Sequence, residues 1–176
     1  METLNFAIPT LFGLEALAAD ELRRLGLDQV RAENGRVLCS GRPGDIPRMD
    51  LNLRTGERVL LVLGTFPAGD FDALFEGTRK LPWERFIPRD GQFPVKGHSL
   101  NSTLHSVPAC QAIVKKAVAA RLGARYGLNT LPETGALYQI QFSIMKDTAM
   151  LMLDTSGAGL HKRGYRAQGV AAVSYT

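Results

Sequence analysis

The chain has 176 residues, of which 45% are hydrophobic and 22% charged, with two cysteines and a formal net charge of +4. That is the balance of a folded globular chain with a core of its own, and it excludes a disordered polyampholyte and a disulfide-built scaffold. No apolar run approaches the ~20 residues that cross a bilayer, and no basic stretch precedes an apolar one at the N-terminus, so a cytoplasmic location is expected.

Residues 4–8 read as a short strand before Pro9. Over residues 13–25 the period becomes helical: Leu14, Leu17, Ala18, Leu22 and Leu25 share a face, and Gly26 stands where a helix-ending glycine belongs. Residues 28–33 and 36–40 are strands around Asn34-Gly35, a dipeptide suited to a two-residue hairpin with positive φ at both positions. Asp45 and Pro47 open a short helix that runs to about Arg54. Residues 57–66 read as a buried strand. The order β-α-β-β-α-β is the ferredoxin-like one.

A helix is predicted from Asp70 to Lys80, redirected at Pro82-Trp83. A strand follows at 93–99, then a helix over 107–122, with Pro108 in its first turn and Gly123 at its end. Ile113, Val114, Ala117, Val118 and Leu122 form the apolar arc of this helix; Lys115 and Lys116 point away from it, and Arg121 packs its stem. A hairpin over 137–145 and 148–154 turns at Lys146-Asp147. Tyr138, Ile140, Phe142 and Ile144 alternate with Gln139, Gln141 and Ser143, which marks a half-exposed strand, whereas Ala149–Leu153 reads as a central one.

Charge is unevenly spread. Residues 1–95 hold 12 Lys/Arg against 14 Asp/Glu, and residues 96–176 hold 9 against 3, namely Glu133, Asp147 and Asp154. A cationic half suggests a polyanionic partner. The candidate contacts cluster around the strand at 93–99, the loop after it and the next helix: Lys96, His98, Ser99, Asn101, Ser102, Thr103, His105, Lys115 and Lys116. Small hydroxyl and amide groups beside lysines suit phosphate and sugar, and a helix N-terminus near 106–108 adds backbone N–H groups. The same residues would also suit an ordinary loop that caps a helix with Ser106 or Thr103. A second basic cluster, Lys162, Arg163 and Arg166 around Tyr165, combines cations with a stacking ring.

Enzymatic chemistry is poorly provided for. The three histidines and two cysteines show no ligand-pair spacing, and neither Cys39 nor Cys110 has an obvious base. The apolar strand ending in Asp154-Thr155-Ser156-Gly157-Ala158-Gly159 looks like the start of a nucleotide or methyl-donor pocket. Only 17 residues follow Gly159, too few for the further strand–helix units such a fold needs, so a turn leaving the last strand is the expectation.

The stretch from Leu153 to Arg166, LDTSGAGLHKRGYR, closely resembles the "LDxSGxxLHxRGYR" segment of THUMP-containing RNA methyltransferases. Gly13-Leu14-Glu15 with Glu21-Leu22 resembles the opening "GLEELLxxEL" of that family, and Asn101–Ser106 with Val114–Val118 resembles its "N..L.....VKDAI" helix. The resemblance covers residues 4–166. It implies an α+β chain: a ferredoxin-like N-terminal domain over 1–66, a THUMP RNA-binding domain over 67–158 (or from about 45), and a basic linker and tail over 159–176. It further implies an RNA partner, expected to be structured and ribosomal, and a methyltransferase domain in cis or in trans. The bacterial members it most resembles methylate the exocyclic amine of a guanine in large-subunit ribosomal RNA and often carry adenine-specific DNA methylase labels. A THUMP module serving transfer RNA and an assembly domain without RNA are the alternatives. S-adenosylmethionine would belong to the catalytic domain, whose methyl-donor loop and Asn/Asp-Pro-Pro motif do not occur in this sequence. The chain alone is expected to bind no cofactor or metal and to catalyse no methylation.

Overall fold

A computed structural model describes residues 2–56 and 58–156. The first six elements are β1 (Leu4–Pro9), α1 (Glu15–Arg24), β2 (Asp28–Glu33), β3 (Arg36–Gly41), α2 (Asp45–Asn52) and β4 (Leu60–Pro67). Then come α3 (Phe71–Arg79), a 3-10 turn (Trp83–Arg85), β5 (Val95–Leu100), α4 (Val107–Tyr126), β6 (Ile140–Met145) and β7 (Thr148–Asp154). The α+β class and the βαββαβ opening are as the sequence predicts.

The seven strands form one sheet in the order β2-β3-β1-β4-β7-β6-β5. Every pair is antiparallel except β5 with β6. α4 makes the crossover that a parallel pair requires. β4 bonds to β1 on one side and to β7 on the other, from Leu60↔Asp154 to Pro67↔Thr148.

Strand alternation divides the sheet into two unlike faces. Phe6, Ile8, Val37, Leu61, Ile140, Phe142, Ile144, Leu151 and Leu153 point to one face, where they join buried residues of all four helices in a single apolar cluster. Trp83 lies fully buried there, its Nε1 donating to the Thr78 carbonyl at 2.7 Å. The other face carries a small cluster of strand residues alone: Ala7, Leu60, Met150 and Met152.

Several local expectations are corrected. Leu17 is 52% exposed; α1 buries Ala18, Ala19 and Leu22 instead. Asp45 lies one residue inside α2, whose N-cap is Gly44. Gly123 does not end α4. A glycine inside a helix costs only about 1 kcal/mol, and the helix runs on to Gly127, whose left-handed backbone (φ 68°) closes it. The Asn34-Gly35 hairpin places only Gly35 at positive φ, whereas Lys146 (φ 51°) and Asp147 (φ 60°) both adopt the left-handed pair that a type I′ turn demands. The Asp147 carboxylate compensates by accepting from the Thr103 amide at 2.7 Å and the Thr103 hydroxyl at 3.3 Å. Ser143, expected on the exposed face of its strand, is buried.

Glu84 accepts from Arg121 Nε and Nη2 at 2.8 and 2.9 Å and meets Arg125 at 3.4 Å, fastening α4 to the 3-10 turn. The Arg121 hydrogen bonds hold the Glu84 carboxyl below the usual carboxylate range. Such a group stabilises the fold above its unfolded-state pKa and loses that contribution as pH falls through the folded-state value. Glu84→Gln should therefore cost about 1–2 kcal/mol at neutral pH. In urea titrations its difference from the parent chain should vanish as pH drops below the usual carboxylate range; a difference that persists in acid would contradict this account.

Candidate nucleic-acid interface

β5 is an edge strand, and its alternation sorts the candidate residues. Lys96 and His98 are exposed on the helix-free face, while Ser99 turns towards the helices and donates its hydroxyl to the Leu104 carbonyl. The loop that follows is built on the β6–β7 turn. Ser102 Oγ donates to the Leu100 carbonyl at 3.1 Å and accepts from the Asp147 amide at 3.0 Å, and Thr103 is held by the Asp147 carboxylate. Asn101 is exposed with φ 52°, and the exposed His105 places Nδ1 3.0 Å from the Thr103 carbonyl. Ser106 caps α4, its hydroxyl accepting from the Ala109 amide at 3.4 Å.

The two lysines of α4 differ in kind. Lys115 does not project away from the helix, as its place on the wheel suggests. Its ammonium donates to Glu133 at 2.7 Å and to the Phe93 carbonyl at 3.1 Å, and lies 3.5 Å from the Phe93 ring centroid. It ties the 131–139 segment to the start of β5. Lys116 is exposed. The candidates therefore form two sets, with Lys96, His98 and Asn101 on the open face and Lys116 on the helix side. Lys162, Arg163 and Arg166 lie outside the described residues.

The open face holds residues that charge counting passed over. Arg36 on β3 reaches across the sheet, its Nη1 3.4 Å from Ser143 Oγ on β6 and 3.6 Å from Met150 Sδ on β7. At about 4.8 Å per strand step a flat sheet would put β3 roughly 19 Å from β6, beyond an arginine's reach. The sheet is therefore strongly coiled, and concave on this side. His98 Nε2 lies 3.4 Å from Ser143 Oγ. Loss of hydration, and then the charge of Arg36, lower the pKa of His98. The resulting cleft encloses about 610 Å³ between the β2–β3 turn with Phe12 and the β5–β6 side with Leu100, Asn101 and Lys146. Arg36 escaped sequence reasoning because it sits in the near-neutral half. The Leu11-Phe12 pair, apolar but outside the helical period, was the available signal.

Cys39 is buried and its thiol is pushed up to about 12 by burial and by the charge of Asp45, and burial also raises Cys110. Among the described residues no three His, Cys, Asp or Glu side chains are grouped to hold a metal ion. The Asp154-Thr155-Ser156 stretch folds as a turn. Asp154 pairs with Arg58 and accepts from the Ser156 amide at 2.9 Å, and buried Thr155 donates its hydroxyl to the Val59 carbonyl at 2.8 Å. The glycines beyond it lie outside the described residues.

Comparison with known proteins agrees with this architecture. Residues 5–60 match the family described as the RlmL ferredoxin-like domain, and residues 68–154 match the THUMP domain. The chain is thus a THUMP-containing protein, with an RlmL-type ferredoxin-like domain preceding the THUMP domain. It is 46% identical over 167 residues to Bacillus subtilis YpsC, which bears the name of an RNA methyltransferase, covering 93% of this chain and 43% of that one. It is 32% identical over 161 residues to the ribosomal RNA large subunit methyltransferase K/L of Pseudomonas entomophila, covering 91% of this chain and 22% of that one. A Listeria monocytogenes crystal structure, described as an N6-adenine-specific DNA methylase, superposes with a TM-score of 0.84 at 49% identity, over 99% of this chain and 45% of that one. The chain therefore spans less than half the length of these relatives.

The Lys115 contacts predict a separation of roles. Lys115→Ala should lower unfolding free energy by about 1–2 kcal/mol, and Lys116→Ala should leave it within about 0.5 kcal/mol. Chemical denaturation of the two variants measures both, and equal effects would remove the distinction.

Proposed function

We propose that this chain is the RNA-binding part of an RNA methyltransferase. It docks a structured RNA so that a catalytic domain, in cis or in trans, can reach its base. The observation that carries the reading is a THUMP domain whose edge strand and long helix present Lys96 and Lys116 to solvent. Neither lysine makes an ion pair among the described residues. Exposed cations on a rigid frame neutralise phosphates without reading sequence, which suits recognition of RNA shape.

The large-subunit methyltransferase name of the Pseudomonas relative favours ribosomal RNA as the target, and the resemblance of residues 153–166 to THUMP-containing methyltransferases favours a guanine exocyclic amine as the methylated group. S-adenosylmethionine would then be bound by the catalytic domain, not by this chain, and the site of action would be cytoplasmic.

Anisotropy titration against large-subunit ribosomal RNA fragments and transfer RNA tests the reading. Affinity should fall with salt by about 0.7–0.9 logarithmic units of affinity per logarithmic unit of salt for each phosphate neutralised. Lys96→Glu with Lys116→Glu should weaken binding about tenfold or more across sequences and flatten the salt slope. Affinity indifferent to both salt and these lysines would defeat the proposal.

A further inference from the structure

The cleft on the concave face is furnished unlike the cation-bearing outer surfaces. Its deep floor is apolar, formed by the nearly buried Ala7, Leu60 and Met152, and no helix of the described residues covers it. One wall carries Phe12, which is 82% exposed, and Arg36; the facing wall carries His98, Asn101 and Lys146. Ser143 lies between Arg36 and His98. Glu33 is the one acid lining the cleft among the described residues, and it is already paired with Arg36 at 3.3 Å. The cleft therefore presents a surplus of positive charge around an apolar floor.

Phe12 is exposed, and the backbone beside it is tied down. Gly13 beside it has φ 94°, and the Glu15 carboxylate accepts from the Gly13 and Gly35 amides at 2.8 Å each. The ring stands over the β2–β3 turn, its Cζ 3.9 Å from where a Cβ on Gly35 would lie. A solvent-facing aromatic ring at the rim offers a stacking surface. The volume, about 610 Å³, lies within the ~300–1,000 Å³ of pockets that enclose a small organic group.

We propose that the cleft takes an unpaired nucleotide of the bound RNA. Its base stacks on Phe12 at the rim, its polar edge meets His98 and Asn101, and its phosphate lies near Arg36 and Lys146. Charge complementarity and the mixture of apolar floor with short donors and acceptors favour this occupant, since a duplex presents no free base face. The inference rests on the RNA-binding reading and adds that part of the recognised RNA is single-stranded.

The test compares a blunt RNA duplex with the same duplex carrying a five-nucleotide single-stranded extension, by anisotropy with the whole chain. The extension should tighten binding about tenfold. Phe12→Ala, at an exposed position that leaves the unfolding curve in place, should bring the extended RNA down to blunt-duplex affinity, as should Asn101→Ala in part. Lys116→Glu should weaken both RNAs alike. An extension that adds nothing, or whose gain survives Phe12→Ala, overturns the cleft assignment while the RNA-binding reading stands. Displacement of the extended RNA by an acidic peptide of equal charge, as effectively as by a single-stranded oligonucleotide, also overturns it. Failure to bind either RNA removes both.

Discussion

β4 is hydrogen-bonded to β1 along one edge and to β7 along the other. The strand that closes the ferredoxin-like order is thus also the strand against which the THUMP domain is laid. This shared seam makes one sheet from two sets of elements and lets all four helices pack on the same side in one core. With every helix of the described residues on that side, none of them lies over the opposite face. Twist accumulated over seven strands then bends that face into a hollow. Arg36, anchored on β3, can meet Ser143 on β6 only because of that curvature.

The charge of the C-terminal half is spent in two ways. Lys115 is bound to Glu133, and Arg121 and Arg125 are bound to Glu84, an acid from the N-terminal half. Lys96, Lys116 and Lys146 make no ion pair among the described residues. A cationic segment thus supplies both internal fasteners and solvent-facing charges, and composition alone does not separate them. The segments that carry the family likeness are fasteners too. Glu15 ties the β1–α1 loop to the β2–β3 turn, and Glu21 accepts from the Arg54 and Thr55 amides at 2.9 and 3.1 Å.

The element order, the two helix starts at Asp70 and Ser106 and the central position of β7 were legible because each follows from periodicity or from a capping residue. The hollow face was not legible. A strand pattern shows which residues share a side, but not how far the sheet coils, so Ser143 read as exposed and Arg36 was passed over. The end of α4 was misplaced for a local reason: Gly123 and Gly127 are equally good terminators in sequence, and packing chooses between them. Lys146-Asp147 was readable as a turn but not as a left-handed one, because the contact that supports it comes from Thr103, over forty residues earlier.

The turn after β7 has a mechanical corollary. The Thr155 amide and hydroxyl both bind the Val59 carbonyl, and Asp154 is clasped by Arg58 and by Ser156. The backbone at Ser156 is therefore oriented by the entrance to β4 as firmly as if it were part of the sheet. Pulling or twisting the polypeptide from that point would load the seam between the two domains directly, with no slack loop to absorb it.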